Sequence, residues 1–205
     1  MDTVRILVAF YSRNGSTEAL AKAVGKGSES EGAEVRLRRA ADIVSPDIIR
    51  KVPGWAENRA RMEAAYPAPT TVDADWADGI VFGTPTRFGN VCAELKAYID
   101  SFGGLWAQGK LNGKAGSAFT STSSLHGGNE ATITSLYQPM AHLGLIIVPL
   151  GYADPITFRA GTPYGASSVS GQNNASPTED DIAAAHFQGK RVTQVARVLK
   201  QLRAS

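Results

Sequence analysis

The chain has 205 residues, 43% of them hydrophobic, with 21 Lys and Arg against 19 Asp and Glu for a formal net charge of +2. That is enough apolar material for one full core in a single domain over 1–205, and it offers none of the long basic blocks or aromatic-interleaved basic stripes on which nucleic-acid binding depends. The one cysteine, Cys92, excludes an internal disulfide framework and fits a reducing cytoplasm. No apolar run suits a signal peptide or a spanning helix, so no membrane anchor is expected. His126, His142 and His186 are too widely spaced to suggest a metal site.

Residues 4–10, with Val4, Ile6, Leu7, Val8 and Phe10, read as a strand. It breaks into Ser12-Arg13-Asn14-Gly15-Ser16-Thr17, and the helix formers Glu18, Ala19, Leu20, Ala21, Lys22 and Ala23 follow at once. Such a turn gathers backbone N–H groups, hydroxyls and a helix N-terminus around one point, which suits a phosphate dianion. Gly15 permits close backbone approach, and Ser12, Ser16 and Thr17 each carry a hydroxyl donor. The Gly-Lys-Ser/Thr ending of a triphosphate loop is absent, and no G-x-G-x-x-G follows the strand. A terminal phosphomonoester such as flavin mononucleotide (FMN) therefore fits better than a triphosphate or dinucleotide. The plainer alternative is an ordinary strand-to-helix turn with a hydroxyl cap.

A second strand is expected over 34–38, where Arg36, Arg38 and Arg39 flank Leu37 and read as a solvated strand end. Residues 41–77, with Pro46, Pro53, Pro67 and Pro69, form a long connection with short helices. The unbroken apolar run 79–83 reads as a buried parallel strand; it stops at Thr84-Pro85, and a helix follows over about 92–102. A fourth strand over 114–120 leads through a Ser/Gly loop to a helix over about 129–143, and a fifth strand covers 145–149. Residues 151–177, full of Gly, Ser, Asn and Pro, read as a second long loop. Ser176, Pro177 and Glu179 set up a capped start for a last helix, bent at Gly189, whose Ile182, Val192, Val195, Val198, Leu199 and Leu202 make an apolar stripe.

Five strands alternating with helices predict an α/β fold, a parallel sheet covered on both faces. Ligands of such sheets bind beyond the carboxyl ends of the strands, and three of those ends carry polar loops: 12–17, 84–90 and 121–129. In the second, Pro85, Thr86, Arg87, Phe88, Gly89 and Asn90 combine a rigid proline, donors, an aromatic wall and a glycine that permits close approach, a set that suits the edge of a flavin ring. The third offers donors for the ring's polar side.

Phe10-Tyr11-Ser12, Gly15-Ser16-Thr17 and Ala21 resemble the flavodoxin phosphate-binding signature. Gly83-Thr84-Pro85-Thr86-Arg87-Phe88-Gly89-Asn90, Gly103-Gly104-Leu105-Trp106 and Gly161-Thr162-Pro163-Tyr164-Gly165-Ala166 together resemble the WrbA family of flavodoxin-like NAD(P)H:quinone oxidoreductases, over nearly the whole chain. The resemblance implies a flavodoxin-like three-layer fold with a five-stranded doubly wound parallel sheet and FMN as cofactor. It further implies NADH or NADPH as hydride donor, ping-pong two-electron reduction of a quinone, and a homotetramer built as a dimer of dimers. It assigns FMN to Ser12, Arg13, Asn14, Gly15, Ser16 and Thr17, to Pro85, Thr86, Arg87, Phe88, Gly89 and Asn90, and to Ser121, Thr122 and Ser123. His142 matches a family histidine at the flavin and is the candidate catalytic group. Trp106, with Phe88 and Asn14, matches the substrate pocket, Trp106 reaching across a subunit boundary. Asn14 stands where some members have a tyrosine, and Ser123, Ser124, Leu125 and His126 replace part of a glycine-rich loop, so nucleotide preference and the contacts of 123–128 stay open. Two other readings are a one-electron carrier of the flavodoxin type, which the lack of a strongly acidic charge balance disfavours, and a partner-binding regulatory flavoprotein.

Overall fold

In the computed structural model, which describes residues 3–204, β1 (Arg5–Phe10) sends Ile6, Val8 and Phe10 to one side of a sheet and Leu7 and Ala9 to the other, all of them buried. A strand apolar on both faces needs cover on both. The first face is covered by α1 (Ser16–Ser30) and α8 (Glu179–Ala204), helped by Met62 of α3 (Trp55–Ala65). The second is covered by α4 (Thr71–Trp76), α5 (Ala93–Asp100) and α7 (Asn129–His142). Two further short helices, α2 (Pro46–Lys51) and α6 (Gly103–Ala107), lie in the connections. β2 (Glu34–Arg39), β3 (Gly79–Pro85), β4 (Ala115–Thr122), β5 (Ile146–Ile147) and β6 (Ser167–Val169) complete a parallel sheet. Its order is β2-β1-β3-β4-β5, with β6 also on β4. Strand order reverses between β1 and β3, which makes their carboxyl ends the expected ligand crevice. No helix among the described residues is long and apolar enough to cross a membrane.

The fifth sheet position, expected as one strand over 145–149, is shared by two. β5 pairs Ile146 and Ile147 with Ala115 and Gly116. The chain then leaves, makes a 3-10 turn at Pro155–Phe158, and returns as β6 to pair Ser167, Ser168 and Val169 with Thr120, Ser121 and Thr122. Residues 151–177 thus carry a strand where turn composition promised only a loop, because three residues are too few to display a period of two. Gln188 of α8 bridges the gap in the ladder. Its Nε2 donates to Ala118 O at 2.8 Å and Ser117 Oγ at 2.7 Å, while its Oε1 accepts from Ala166 N at 3.0 Å. Gly165 admits the returning chain, since a Cβ there would lie 2.0 Å from Ala118 O.

Three local expectations are corrected. The arginine cluster is not a solvated strand end: Arg36 and Arg38 both reach Asp73 at 3.1 Å, and Arg39 is only 2% exposed. The cap of α8 is not Ser176 with Glu179. Thr178 N donates to Asp181 Oδ2 at 2.9 Å and Asp181 N to Thr178 Oγ1 at 3.1 Å, a capping box two residues further on. Gly189 serves a close helix crossing: a Cβ on it would lie 2.0 Å from Val24 O of α1, and one on Gly27 would lie 1.9 Å from His186 O of α8.

Both clashes are with backbone, so Gly27→Ala must push α1 and α8 apart and is expected to destabilise the protein by about 1–3 kcal/mol. Gly25→Ala, two residues away, would meet Leu37 at 3.5 Å, an ordinary contact, and should stabilise α1 by about 0.5–1 kcal/mol. Urea unfolding of the two variants checks the contrast in sign.

Candidate functional site

The carboxyl ends of β1, β3, β4 and β6 open onto one cavity. It is lined by Ser12, Arg13, Asn14, Ser16 and Thr17, then Pro85, Thr86 and Arg87, then Ser121, Thr122 and Ser123, and finally Ser170 and Asn174. Pro85 is the only apolar member, so the cavity suits a phosphate and a hydroxylated chain rather than a flat ring.

The first loop is shaped by its own donors. Gly15 N donates to Ser12 Oγ at 3.1 Å, and Gly15, at φ +103°, is the cap residue of α1 without a side chain to close it. Among the described residues no acceptor takes the N–H groups of Arg13, Asn14, Ser16 or Thr17. Four free donors at a helix N-terminus fit an anion. Thr17 Oγ1 and Ser121 Oγ share a hydrogen bond at 2.8 Å, tying the first loop to the third.

The second loop is a tight turn in which Arg87 N donates to Asn90 O at 2.9 Å and Asn90 N to Arg87 O at 3.1 Å. Both central residues have positive φ, +54° at Phe88 and +78° at Gly89. A left-handed conformation is costly for an aromatic residue, and here it leaves the Phe88 ring fully exposed. The turn is fixed to the start of α7 by Thr132 Oγ1, which donates to Thr86 Oγ1 at 2.8 Å. Gly128 and Gly89 also meet closely enough that a Cβ on Gly128 would be 3.0 Å from Gly89 Cα. Cys92, just beyond, is buried, and burial pushes its thiol up to about 11, so it stays protonated.

Two buried networks brace the first loop from behind. Arg39 donates through Nε and Nη2 to Ser12 O at 3.2 and 3.1 Å and through Nη2 to Asp42 Oδ2 at 2.8 Å. Asp42 also accepts from Tyr11 OH at 2.6 Å and Trp55 Nε1 at 2.9 Å. Burial would raise its pKa, but these donors outweigh burial and hold it below the usual carboxylate range. Burial, reinforced by Asp42, pushes Tyr11 well above the usual phenol range. In the second network Glu18 accepts from Arg61 Nη1 at 2.9 Å and Tyr66 OH at 2.9 Å and pairs with Lys22 at 3.0 Å. Burial acts to raise Glu18 as well, yet the bonds from Arg61, Lys22 and Tyr66 bring it down to about 2.

Of the residues expected from sequence, eleven line the cavity and Gly15 shapes the first loop through its backbone, while Phe88, Gly89 and Asn90 belong to the adjoining turn and are not among the lining residues. His142 and Trp106 are not there. α7 runs from the third loop to His142 over 14 residues, about 20 Å at the helical rise, and His142 is exposed at its far end. Trp106, 60% exposed, precedes the turns that lead into the opposite end of β4, where Gly113 N donates to Gly144 O at 2.8 Å. Sequence reasoning missed Ser170 and Asn174. Asn14 Nδ2 donates to Asn174 Oδ1 at 2.8 Å across 160 residues, and only the Gly/Ser/Asn character of that loop hinted at a special turn. It also missed both buried networks, which join residues far apart in the chain.

The family described as NADPH-dependent FMN reductase matches residues 3–154. A protein of Geotalea uraniireducens named NAD(P)H dehydrogenase (quinone) is 42% identical over 94% of this chain and 98% of its own length. A protein of Geobacter sulfurreducens with the same name is 42% identical over 96% and 99%. Among solved structures, a WrbA-like flavodoxin from Agrobacterium tumefaciens is 26% identical, covers 96% of this chain and 99% of its own, and superposes with a TM-score of 0.67. An archaeal flavodoxin, 18% identical with a TM-score of 0.60 over 95% of this chain, shares the fold.

The Glu18 network yields a stability prediction. Its carboxyl is ionised when folded down to about 2, against 4.5 for the free group, so its contribution is complete above about 4.5 and fades as pH falls toward 2. Glu18→Gln is expected to cost about 2 kcal/mol at pH 7. In urea titrations at stepped pH, the gap between wild type and variant should narrow between those two pH values.

Proposed function

The chain belongs to the NADPH-dependent FMN reductase family, and on that premise we propose that it is an FMN-dependent NAD(P)H:quinone oxidoreductase. The observation that carries the reading is the cavity itself: hydroxyl-lined, ringed by unclaimed backbone donors, and placed at the switch point of the sheet. FMN, when bound, supplies the redox chemistry, taking a hydride from NADH or NADPH and passing two electrons to a quinone in a ping-pong cycle.

The chain's own residues bind and orient. The N–H groups of Arg13, Asn14, Ser16 and Thr17 and the hydroxyls of Ser16 and Thr17 hold the phosphate; Arg13 and Arg87 add positive potential at the mouth. Thr86, Arg87, Phe88, Gly89 and Asn90 meet the ring edge, and Ser121, Thr122 and Ser123 face its polar side. Phe88 and Trp106 provide flat apolar walls that admit NAD(P)H or quinone and exclude water. Trp106 and His142 lie far along the chain's own helices from its cavity, which supports a homotetramer, a dimer of dimers, in which each serves a neighbouring subunit's site. There His142 would stabilise negative charge developing on the flavin or on a quinone oxygen. A cytoplasmic location fits the lone reduced cysteine.

The test is an anaerobic titration of FMN-loaded protein with NADH or NADPH, followed by benzoquinone. Bleaching of the flavin by nucleotide alone, reversed by one equivalent of quinone, is the expected result. No bleaching by nucleotide alone, with nucleotide oxidised only once quinone is added, would sink the ping-pong order, and no nucleotide oxidation under any condition would favour a carrier or regulatory role. Trp106→Ala should lower kcat/KM for quinone roughly tenfold through lost stacking while FMN affinity stays unchanged, as steady-state kinetics and flavin fluorescence would report.

A further inference from the structure

We propose that Arg39 is a positioning residue for the phosphate loop: through the Ser12 carbonyl it turns the next N–H into the cavity, with Asp42, Tyr11 and Trp55 fixing the guanidinium in place. The proposal rests on the FMN reading above, which assigned no role to this network.

The geometry begins with one peptide unit. Both Arg39 Nε and Nη2 reach Ser12 O, at 3.2 and 3.1 Å. A trans peptide is planar, with its C=O and N–H pointing in opposite directions. Locking Ser12 O onto a group buried behind the loop therefore directs Arg13 N–H the other way, to the side on which Ser12, Arg13 and Asn14 line the cavity. That N–H has no acceptor among the described residues. The guanidinium has little freedom to do otherwise. Asp42 Oδ2 grips it at 2.8 Å, and Asp42 is held in turn by Tyr11 OH and Trp55 Nε1. Arg13, leaving the same peptide, lies over the Trp55 ring at 5.0 Å, so one indole supports both sides of the turn.

Stability alone does not account for this arrangement. The Arg39 and Asp42 side chains are 1% and 0% exposed, and Arg39 Nη1 is buried with no hydrogen-bond partner among the described residues. A buried ion pair is commonly no better for stability than an apolar pair of the same shape, and an incompletely bonded one is worse. The pair is also close to neutral as a unit, so it adds little field at the cavity. What it supplies is orientation, and that needs the planar fork: two donors on one carbonyl and one on a carboxylate, which a lysine ammonium cannot span in the same way.

The experiment compares the affinities of the apoprotein for FMN and riboflavin, which differ only in the phosphate, by quenching of flavin fluorescence. Wild type should prefer FMN. Arg39→Lys, which keeps the charge and loses the fork, should weaken FMN at least about tenfold and leave riboflavin within about twofold. Arg39→Met/Asp42→Asn removes both charges together, so neither is stranded, and should show the same selective loss; it decides the matter if the lysine variant fails to fold by circular dichroism. A folded variant that keeps the wild-type ratio of FMN to riboflavin affinity would overturn the role of Arg39 alone. Wild type that did not distinguish the two flavins would overturn the phosphate-loop reading and this proposal with it.

Discussion

Phe10, Gly83 and Phe119 stand in one rank across β1, β3 and β4, and the middle position has room for no side chain. A Cβ on Gly83 would lie 2.1 Å from the Phe119 ring and 2.9 Å from Phe10 Cβ. With bare backbone between the two aromatic residues, the three strands run at ladder spacing, and β3 and β4 extend past the end of β1 to Pro85 and Thr122. The ladders continue one step further, Tyr11 N donating to Gly83 O and Thr86 N to Ser121 O, each at 2.9 Å. The loops that leave these neighbouring strands touch, Thr17 meeting Ser121 and Gly89 meeting Gly128. The cavity lies where those loops meet.

The long connection between β2 and β3, which carries α2, α3 and α4, acts as a brace for these loops. It contributes Asp42 and Trp55 behind Ser12, and Arg61 and Tyr66 behind the first turn of α1. An anion site made of N–H groups is only as good as the peptides that carry them, and short loops without internal packing do not hold such peptides on their own. The charged groups used for bracing are buried yet almost fully bonded, so Glu18 and Asp42 both remain ionised, with pKa values lowered in spite of burial. A carboxylate left unpaired in the first turn of α1 would oppose a phosphate; Glu18 is neutralised by Arg61 and Lys22 before one arrives.

The polar residues expected at the site gather within one chain, whereas the expected aromatic and histidine residues lie apart from them. Phe88 projects outward from a strained turn, and Trp106 and His142 sit toward the other end of the sheet. This division explains why side chains so unlike in position belong to one proposed site: the phosphate cradle is a property of the sheet edge, and the ring-stacking walls belong to the proposed assembly of copies.

The sequence by itself determined the layers and the first loop. The alternation of Ile6, Val8 and Phe10 against Leu7 and Ala9, the turn at Gly15 and the apolar run at 79–83 are local patterns, and local steric and hydrophobic rules translate them directly into strand, strand-to-helix turn and buried strand. Only the tertiary structure decided what Arg39 does, since a charged residue at a strand end looks solvated until Ser12 and Asp42 are seen beside it. It likewise decided that three residues at 167–169 finish the fifth strand, that Gln188 repairs the break, and that Ser170 and Asn174 close the cavity. Each of these depends on partners tens of residues away, and a hydrogen bond between distant segments leaves no period, composition or spacing in the chain from which it could be read.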